Sequence, residues 1–126
     1  MTDYSKSIIL IPTLNERENL KDLIPSIFRL MTDISILIVD DNSPDGTQEL
    51  VGLMKADLKK LFLLERKSDF GYGRSSTAGF KWILERPYDH LVTMDADFSH
   101  DYNEIPALLE KLKSFDVAVG SRYIKG

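Results

Sequence analysis

Two carboxylates one residue apart, Asp95 and Asp97, close an apolar run at residues 90–94. Side chains on a strand alternate faces, so both acids project the same way from the strand's carboxyl end. Like charges held this close repel unless a cation lies between them. Hard oxygen ligands at this spacing suit Mg2+ or Mn2+, ions that usually share their shell with substrate phosphates. A lone Asp-x-Asp is short and common, and it equally describes a solvated strand end leading into a helix cap. The rest of the chain changes the balance. Other apolar runs also end in polar groups: Glu16 follows the first, Asp40 and Asp41 the second, and Arg122 the last.

The elements that must position these groups can be read from the hydrophobic pattern. Ile8 to Ile11 is a continuous apolar run, the mark of a strand buried on both faces, and Pro12 ends it. Asn15 and Glu18 stand three apart, as in a capping box. The following helix carries Leu20, Leu23, Ile24, Ile27, Phe28 and Met31 on one face, with Pro25 expected to kink or shorten it. A second strand, Ser35 to Val39, runs into Asp40. Ser43 with Pro44 reads as a helix cap, and Leu50, Leu53, Met54 and Leu58 as that helix's buried face. A short strand at 61–64 is followed by a polar loop containing Gly71 and Gly73, and a helix is predicted over 75–85. Strand four spans 90–94. Asp101 and Glu104 frame another helix, with Ile105, Leu108, Leu109 and Leu112 inward, and a fifth strand spans 115–119. Strands alternating with helices predict an α/β fold with a mainly parallel sheet covered on both faces. In such a sheet the strand ends bearing polar residues share one edge, so Glu16, Asp41, Asp95, Asp97 and Arg122 converge there.

With 126 residues the chain amounts to one domain, and its net charge of -4 argues against general nucleic-acid binding, which needs a basic face. The absence of cysteine excludes a disulfide frame and a thiolate zinc site and is compatible with the cytosol. Met1 reads as a native start, the first apolar run is too short for a signal-peptide core, and no stretch approaches the ~20 apolar residues of a transmembrane helix.

The candidate residues divide by context. Asp40 and Asp41 are neighbours on a strand end, so one faces the ligand edge and the other the far face of the sheet. An acid on the ligand edge can accept hydrogen bonds from a nucleobase or a ribose. Gly71 and Gly73 before a helix either form a turn or let backbone N–H groups approach a phosphate, with Arg74 adding charge. Arg122 suits a diphosphate through bidentate contacts. His100 adjoins the carboxylate pair, a place where a histidine more often caps or packs than ligates. Trp82, Met31, Met54 and Met94 read as core.

Four motifs taken together are diagnostic: residues 11–20 (Ile11, Pro12, Thr13, Leu14, Asn15, Glu16 onward), 39–47 (Val39, Asp40, Asp41 through Thr47), 94–101 around Asp95, Ala96 and Asp97, and 120–123 around Arg122. In this order and spacing they resemble the family 2 glycosyltransferases, and within them the polyprenyl-phosphate (dolichyl-phosphate) mannosyltransferase branch. The resemblance runs from about Ser7 to Gly126. It implies a GT-A fold, a Rossmann-like sheet with a metal-bridged nucleotide-sugar. Pro12, Leu14 and Glu16 would then line the nucleoside pocket, and Val39 and Asp41 would contact base or ribose. Asp95 and Asp97 would hold Mg2+ or Mn2+ against the diphosphate beside the Ala96 backbone, and Arg122 would contact phosphate. Leu14 stands where an aromatic is common in this branch, which replaces base stacking by a plain apolar contact. The Gly71–Ser76 loop carries polar residues where the family often has smaller or apolar ones. The family's catalytic domain continues past Gly126, so the resemblance implies that residues 1–126 are its nucleotide-sugar-binding part and poorly active alone.

The implied chemistry is inverting, metal-assisted transfer of a sugar from a GDP-mannose or UDP-glucose type donor to a polyprenyl or dolichyl phosphate. An acceptor phosphate is already anionic and needs no general base, and no convincing base is found in the chain. The implied setting is cytoplasmic, peripheral to a membrane that carries the acceptor. Two other readings stand beside it. A phospho-receiver domain would share the acidic start at 36–42 and a phospho-acceptor at Asp95, but a complete strand-helix unit precedes the acidic pair and no later strand end supplies the Ser/Thr and Lys that receivers use. A nucleotide-binding fragment without catalysis would keep the same site without turnover.

Overall fold

A computed structural model describes residues 3–112. Four parallel strands, β1 (Ser7–Thr13), β2 (Ser35–Asp40), β3 (Leu61–Glu65) and β4 (His90–Thr93), form one sheet in the order β3-β2-β1-β4. Four helices connect or follow them: α1 (Arg17–Leu30), α2 (Thr47–Lys55), α3 (Tyr72–Leu84) and α4 (Ile105–Lys111). The expected fifth strand at 115–119 lies outside the described residues, as does Arg122.

The central strands β1 and β2 are buried at every position, as their unbroken apolar runs require. Alternation sends Ile9, Ile11, Ile36, Ile38, Val92 and Met94 to one face, where they pack with Leu20, Ile24 and Ile27 of α1, Val51 of α2 and Ile105 and Leu109 of α4. Ile8, Leu10, Leu37, Val39 and Leu91 point to the other face, where Ile83 and Trp82 of α3 meet them. Both faces are therefore covered, by three helices on one side and by α3 on the other. The chain reverses direction across the sheet between β1 and its neighbour β4. The crevice outside the strand ends at such a switch point is where open α/β sheets bind ligands.

Helix α3 lies close enough to the sheet that only a hydrogen fits at Gly79. A Cβ there would stand 2.5 Å from Leu10 Cδ1 and 3.1 Å from Val39 Cγ2. Leu10 is itself fully enclosed, so it has no room to yield. Gly79→Ala is expected to cost about 1–3 kcal/mol through overpacking. Urea denaturation measures it, and an unchanged midpoint would show that α3 does not depend on this contact.

Several local expectations are corrected. Asn15 does not cap α1; its backbone turns to φ 57°, and Glu16 stands at the cap without a side-chain bond to the helix backbone. The first helical N–H, of Arg17, is taken by Asp45 from the next loop at 3.2 Å. Ser43 and Pro44 do not open α2, which starts at Thr47; its first N–H also goes to Asp45, at 3.0 Å. One carboxylate thus serves two helix starts, where partial positive charge favours an anion. Leu53, expected inward, is 75% exposed, whereas Val51 is buried. Pro25 does not shorten α1, because Leu23, Ile24 and Ile27 anchor the helix on both sides of it. Helix α3 begins at Tyr72 rather than Ser75. The first turn before α4 is a 3-10 turn over Tyr102–Glu104, capped by Asp101, which accepts from Asn103 N–H at 2.9 Å. Trp82 and Met54 are only partly buried, while Met31 and Met94 are core.

Candidate active site at the carboxyl edge of the sheet

The alternation that builds the core also builds the site. Continuing past the strand ends on the α3 face, the side chains of Leu10, Leu37, Leu64 and Leu91 are succeeded by Pro12 and Leu14, Asp41, Arg66, and Asp95 and Asp97. These strand ends border a cleft of about 610 Å³ lined by Pro12, Thr13, Leu14, Glu16, Asp41, Phe70, Gly71, Tyr72, Ser75, Asp95, Ala96 and Asp97. That volume suits a small-molecule ligand.

Beyond β4 the alternation persists: Val92, Met94 and Ala96 are buried, whereas Thr93 and Asp97 are exposed and Asp95 is half-buried. Asp95 and Asp97 therefore share a side. Because the Ala96 methyl belongs to the core, the cleft meets its main chain. Asp97 accepts from the Ser99 N–H at 3.0 Å. Hydrogen bonds from Ser99, side chain first and backbone second, hold the Asp97 carboxyl below the usual carboxylate range. His100 accepts the Asp95 N–H through Nδ1 at 3.1 Å and so braces the turn. The Tyr72 phenol is pushed up, first by burial and then by the Asp95 carboxylate it bonds.

The acidic pair of β2 splits as expected. Asp40 is fully buried and accepts from Thr13 Oγ1 at 2.7 Å, Ser43 Oγ at 2.6 Å, Ser43 N–H at 2.8 Å and Gln48 Nε2 at 2.9 Å. Asp41 faces the cleft, but protein donors already occupy it. Its Oδ1 accepts from Arg66 at 3.0 Å and from the Ser75 hydroxyl at 2.5 Å, and its Oδ2 from the Gly71 N–H at 2.9 Å. Burial pushes the Asp41 carboxyl up, yet these three bonds outweigh it and leave the group below the usual carboxylate range. Gly71, with φ 135°, takes a backbone conformation closed to most other residues.

Of the sequence-derived candidates, Pro12, Leu14, Glu16, Asp41, Asp95, Ala96 and Asp97 meet around one cleft. Val39 does not line it. Its side chain is fully buried under α3 two residues short of the edge. Arg74 is also absent from the lining and pairs with Asp69. Sequence reasoning missed Thr13, Phe70, Tyr72 and Ser75 of the lining, and Arg66, which does not line the cleft but bonds Asp41 and Ser75. For Arg66 a signal existed, since it stands two residues beyond Leu64 on the same face.

The chemistry of the donor set decides whether a divalent cation fits. Among the described residues no group of three or more His, Cys, Asp or Glu side chains is placed to hold a metal. Asp95 and Asp97 supply two hard oxygen donors, the set Mg2+ and Mn2+ take when substrate phosphates complete the shell. The residues fit a metal that arrives with an anionic substrate, not one held in an all-protein cage.

The model of glycosyl transferase family 2 matches residues 8–126. The chain belongs to glycosyl transferase family 2. Curated relatives of this family 2 chain include the polyprenol monophosphomannose synthase of Mycolicibacterium smegmatis, 42% identical over 123 residues, which span 96% of the chain and 46% of that protein. The undecaprenyl-phosphate mannosyltransferase of Micrococcus luteus is 40% identical over 94% of the chain and 49% of its own length. The dolichol-phosphate mannosyltransferase of Pyrococcus furiosus is 38% identical over 96% of the chain and 34% of its own length. The chain thus spans half or less of the length of these relatives. Among solved structures, a mannosyltransferase from Pyrobaculum calidifontis in complex with GDP-Man and Mn2+ superposes with a TM-score of 0.61 at 22% identity, covering 73% of the chain and 27% of that protein. At that identity the likeness speaks for the fold, and the GT-A, Rossmann-like expectation holds. Family membership displaces the phospho-receiver reading.

Proposed function

We propose that residues 1–126 are the nucleotide-sugar-binding part of an inverting, metal-dependent glycosyltransferase that moves a sugar from a nucleotide-sugar to a polyprenyl or dolichyl phosphate. One observation carries this reading: Asp95 and Asp97 share a side of the chain and meet Pro12, Leu14, Glu16 and Asp41 around one cleft at the β1–β4 switch point. The names of the curated relatives support mannose as the sugar and a polyprenol-type phosphate as acceptor. The GDP-Man complex of the structural neighbour favours a GDP-mannose donor over a UDP-glucose one.

In this reading Leu14, 58% exposed at the cleft, offers an apolar contact to the base. Glu16, held by the Asn19 amide at 2.8 Å, faces the nucleoside. Asp95 and Asp97 hold the cation, and Arg122 contacts phosphate. Mg2+ or Mn2+, when bound, neutralises charge growing on the leaving nucleoside diphosphate. The acceptor phosphate attacks as an anion, so the chain's carboxylates bind rather than abstract a proton. The acceptor would lie at a membrane surface with the protein cytoplasmic and peripheral to it; among the described residues no helix is long and apolar enough to cross a membrane.

Calorimetric titration of GDP-mannose and UDP-glucose, in Mn2+ and in chelator, tests the reading. GDP-mannose is expected to bind more tightly with Mn2+ by about tenfold or more. If neither nucleotide-sugar binds under either condition, the proposal is wrong.

A further inference from the structure

We infer that a second cavity, at the amino edge of the sheet, is a binding site for a soluble organic anion: a phosphomonoester carried on a flat apolar body. The cavity lies at the opposite ends of the strands from the cleft. The site does not rest on the nucleotide-sugar reading; only the choice of a soluble source over a lipid one does.

The cavity holds about 330 Å³, enough for a small molecule, and is bordered by the residues that lead into β1, β3 and β4. Charge is the first observation. Lys6, Lys59, Lys60 and Arg86 meet there and no carboxylate lines the cavity, although the chain as a whole carries a net charge of -4. Among the described residues the ammonium groups of Lys6 and Lys59 have no protein partner. Lys60 gives one N–H to the Asp33 carbonyl at 3.3 Å and keeps its other donors. Arg86 is held from behind: one nitrogen donates to the Trp82 carbonyl at 2.5 Å, and the guanidinium lies over the Trp82 ring at 3.4 Å. The Glu85 carboxylate, 3.9 Å from Arg86, is largely exposed and competes weakly. Cations gathered in this way repel one another unless an anion lies between them.

A buried hydroxyl is the second observation. Ser35, 2% exposed, borders the cavity and accepts the Tyr88 phenol at 2.9 Å. Its own O–H is left without a protein acceptor among the described residues, and such a donor suits an anionic oxygen. The third is the apolar surface between the charges, from Phe62 and Tyr88. Phe62 packs on Trp82 with ring centroids 5.3 Å apart, so it is fixed before any ligand arrives. Aromatic faces cover a flat apolar body, which a bare inorganic anion would leave unused. The place in the fold selects the source of the ligand. β1 is 7 residues long, so about 20 Å separates the two edges of the sheet. A membrane seated on the amino edge would hold the cleft away from a lipid-phosphate acceptor, which favours a soluble ligand.

The probes are phenyl phosphate, inorganic phosphate, and vesicles of phosphatidylcholine with phosphatidic acid, each titrated into the isotope-labelled full chain and read by amide chemical shifts. Phenyl phosphate is expected to shift the amides of Lys6, Lys60 and Tyr88 and, read from those amides, to bind about tenfold more tightly than inorganic phosphate. Lys6→Gln and Lys59→Gln alter exposed side chains and should melt as wild type does. Each should weaken phenyl phosphate by about threefold, and the two together by about tenfold, because the ammonium groups act independently. GDP binding in Mn2+ should be the same in these variants as in wild type, so failure of the nucleotide-sugar reading shows separately, as a wild type that binds no GDP. Unaltered phenyl phosphate affinity in the double variant overturns the inference. Equal affinity for the two free phosphates overturns it as well, and so do shifts confined to the residues of the cleft. Binding to the phosphatidic acid vesicles without binding of free phenyl phosphate assigns the cavity to a lipid headgroup and overturns it too.

Discussion

Asp97→Asn and Asp95→Asn are each expected to weaken Mn2+-dependent nucleotide-sugar binding by roughly tenfold or more, about 1.4 kcal/mol or above. Asparagine keeps the size of the side chain, and at position 97 it still accepts the Ser99 N–H that shapes the turn. What it removes is a negative charge and a hard anionic ligand. With no third acidic or imidazole group placed to join them in holding a metal among the described residues, loss of one carboxylate halves the protein's own donor set. A cation held by this pair would offset the charge of the diphosphate, so the loss is expected on the diphosphate-sugar and not on the nucleoside. Affinity for the free nucleoside should hardly change, because Pro12, Leu14 and Glu16 are untouched. A strand end that merely caps a turn predicts instead that both variants bind donor normally and differ only slightly in stability. Titrating nucleoside and nucleotide-sugar side by side, in Mn2+ and in chelator, distinguishes the two. Equal donor affinities for wild type and both variants would end the assignment of this pair to a metal.

Asp40→Ala is expected to destabilise the fold by about 2–4 kcal/mol, the cost of leaving buried hydrogen-bond donors without their shared acceptor. Asp40 is fully buried and gathers four hydrogen bonds from three residues on three elements: Thr13 at the end of β1, Ser43 in the loop after β2, and Gln48 in α2. Alanine leaves those donors facing a cavity with no acceptor. The effect reaches the cleft as well, since Ser43 Oγ accepts the Asn15 N–H at 2.8 Å and so anchors the turn that carries Leu14 and Glu16. Urea unfolding monitored by circular dichroism measures the loss. A change below about 0.5 kcal/mol, the range of ordinary surface substitutions, would mean that the network contributes little.

These two neighbours show where sequence reasoning succeeds and where it stops. The strands were legible because central parallel strands are buried on both faces, and continuous runs such as Ile8–Ile11 and Ile36–Val39 leave few alternatives. Parallel order then fixed which ends of the strands share an edge, and two-residue alternation placed Asp95 with Asp97 and divided Asp40 from Asp41. The convergence of Pro12, Leu14, Glu16, Asp41, Asp95 and Asp97 on one cleft follows from those two rules. The helix starts were misread because their donors are satisfied across the chain: Asp45 takes the first N–H of α1 from 28 residues away, which no local capping pattern contains. The loop between β3 and α3 was unreadable for the same reason. Its conformation depends on Asp41 meeting Arg66, Gly71 and Ser75 across separations of 25, 30 and 34 residues, and those groups become neighbours only after β2, β3 and α3 have packed. The sequence by itself thus determined the parallel sheet and the edge that bears the chemistry, because periodicity and burial are local properties of the chain. Tertiary structure alone decided which acid is free to meet a ligand and which is already bonded, because hydrogen-bond partners distant in sequence are chosen by packing.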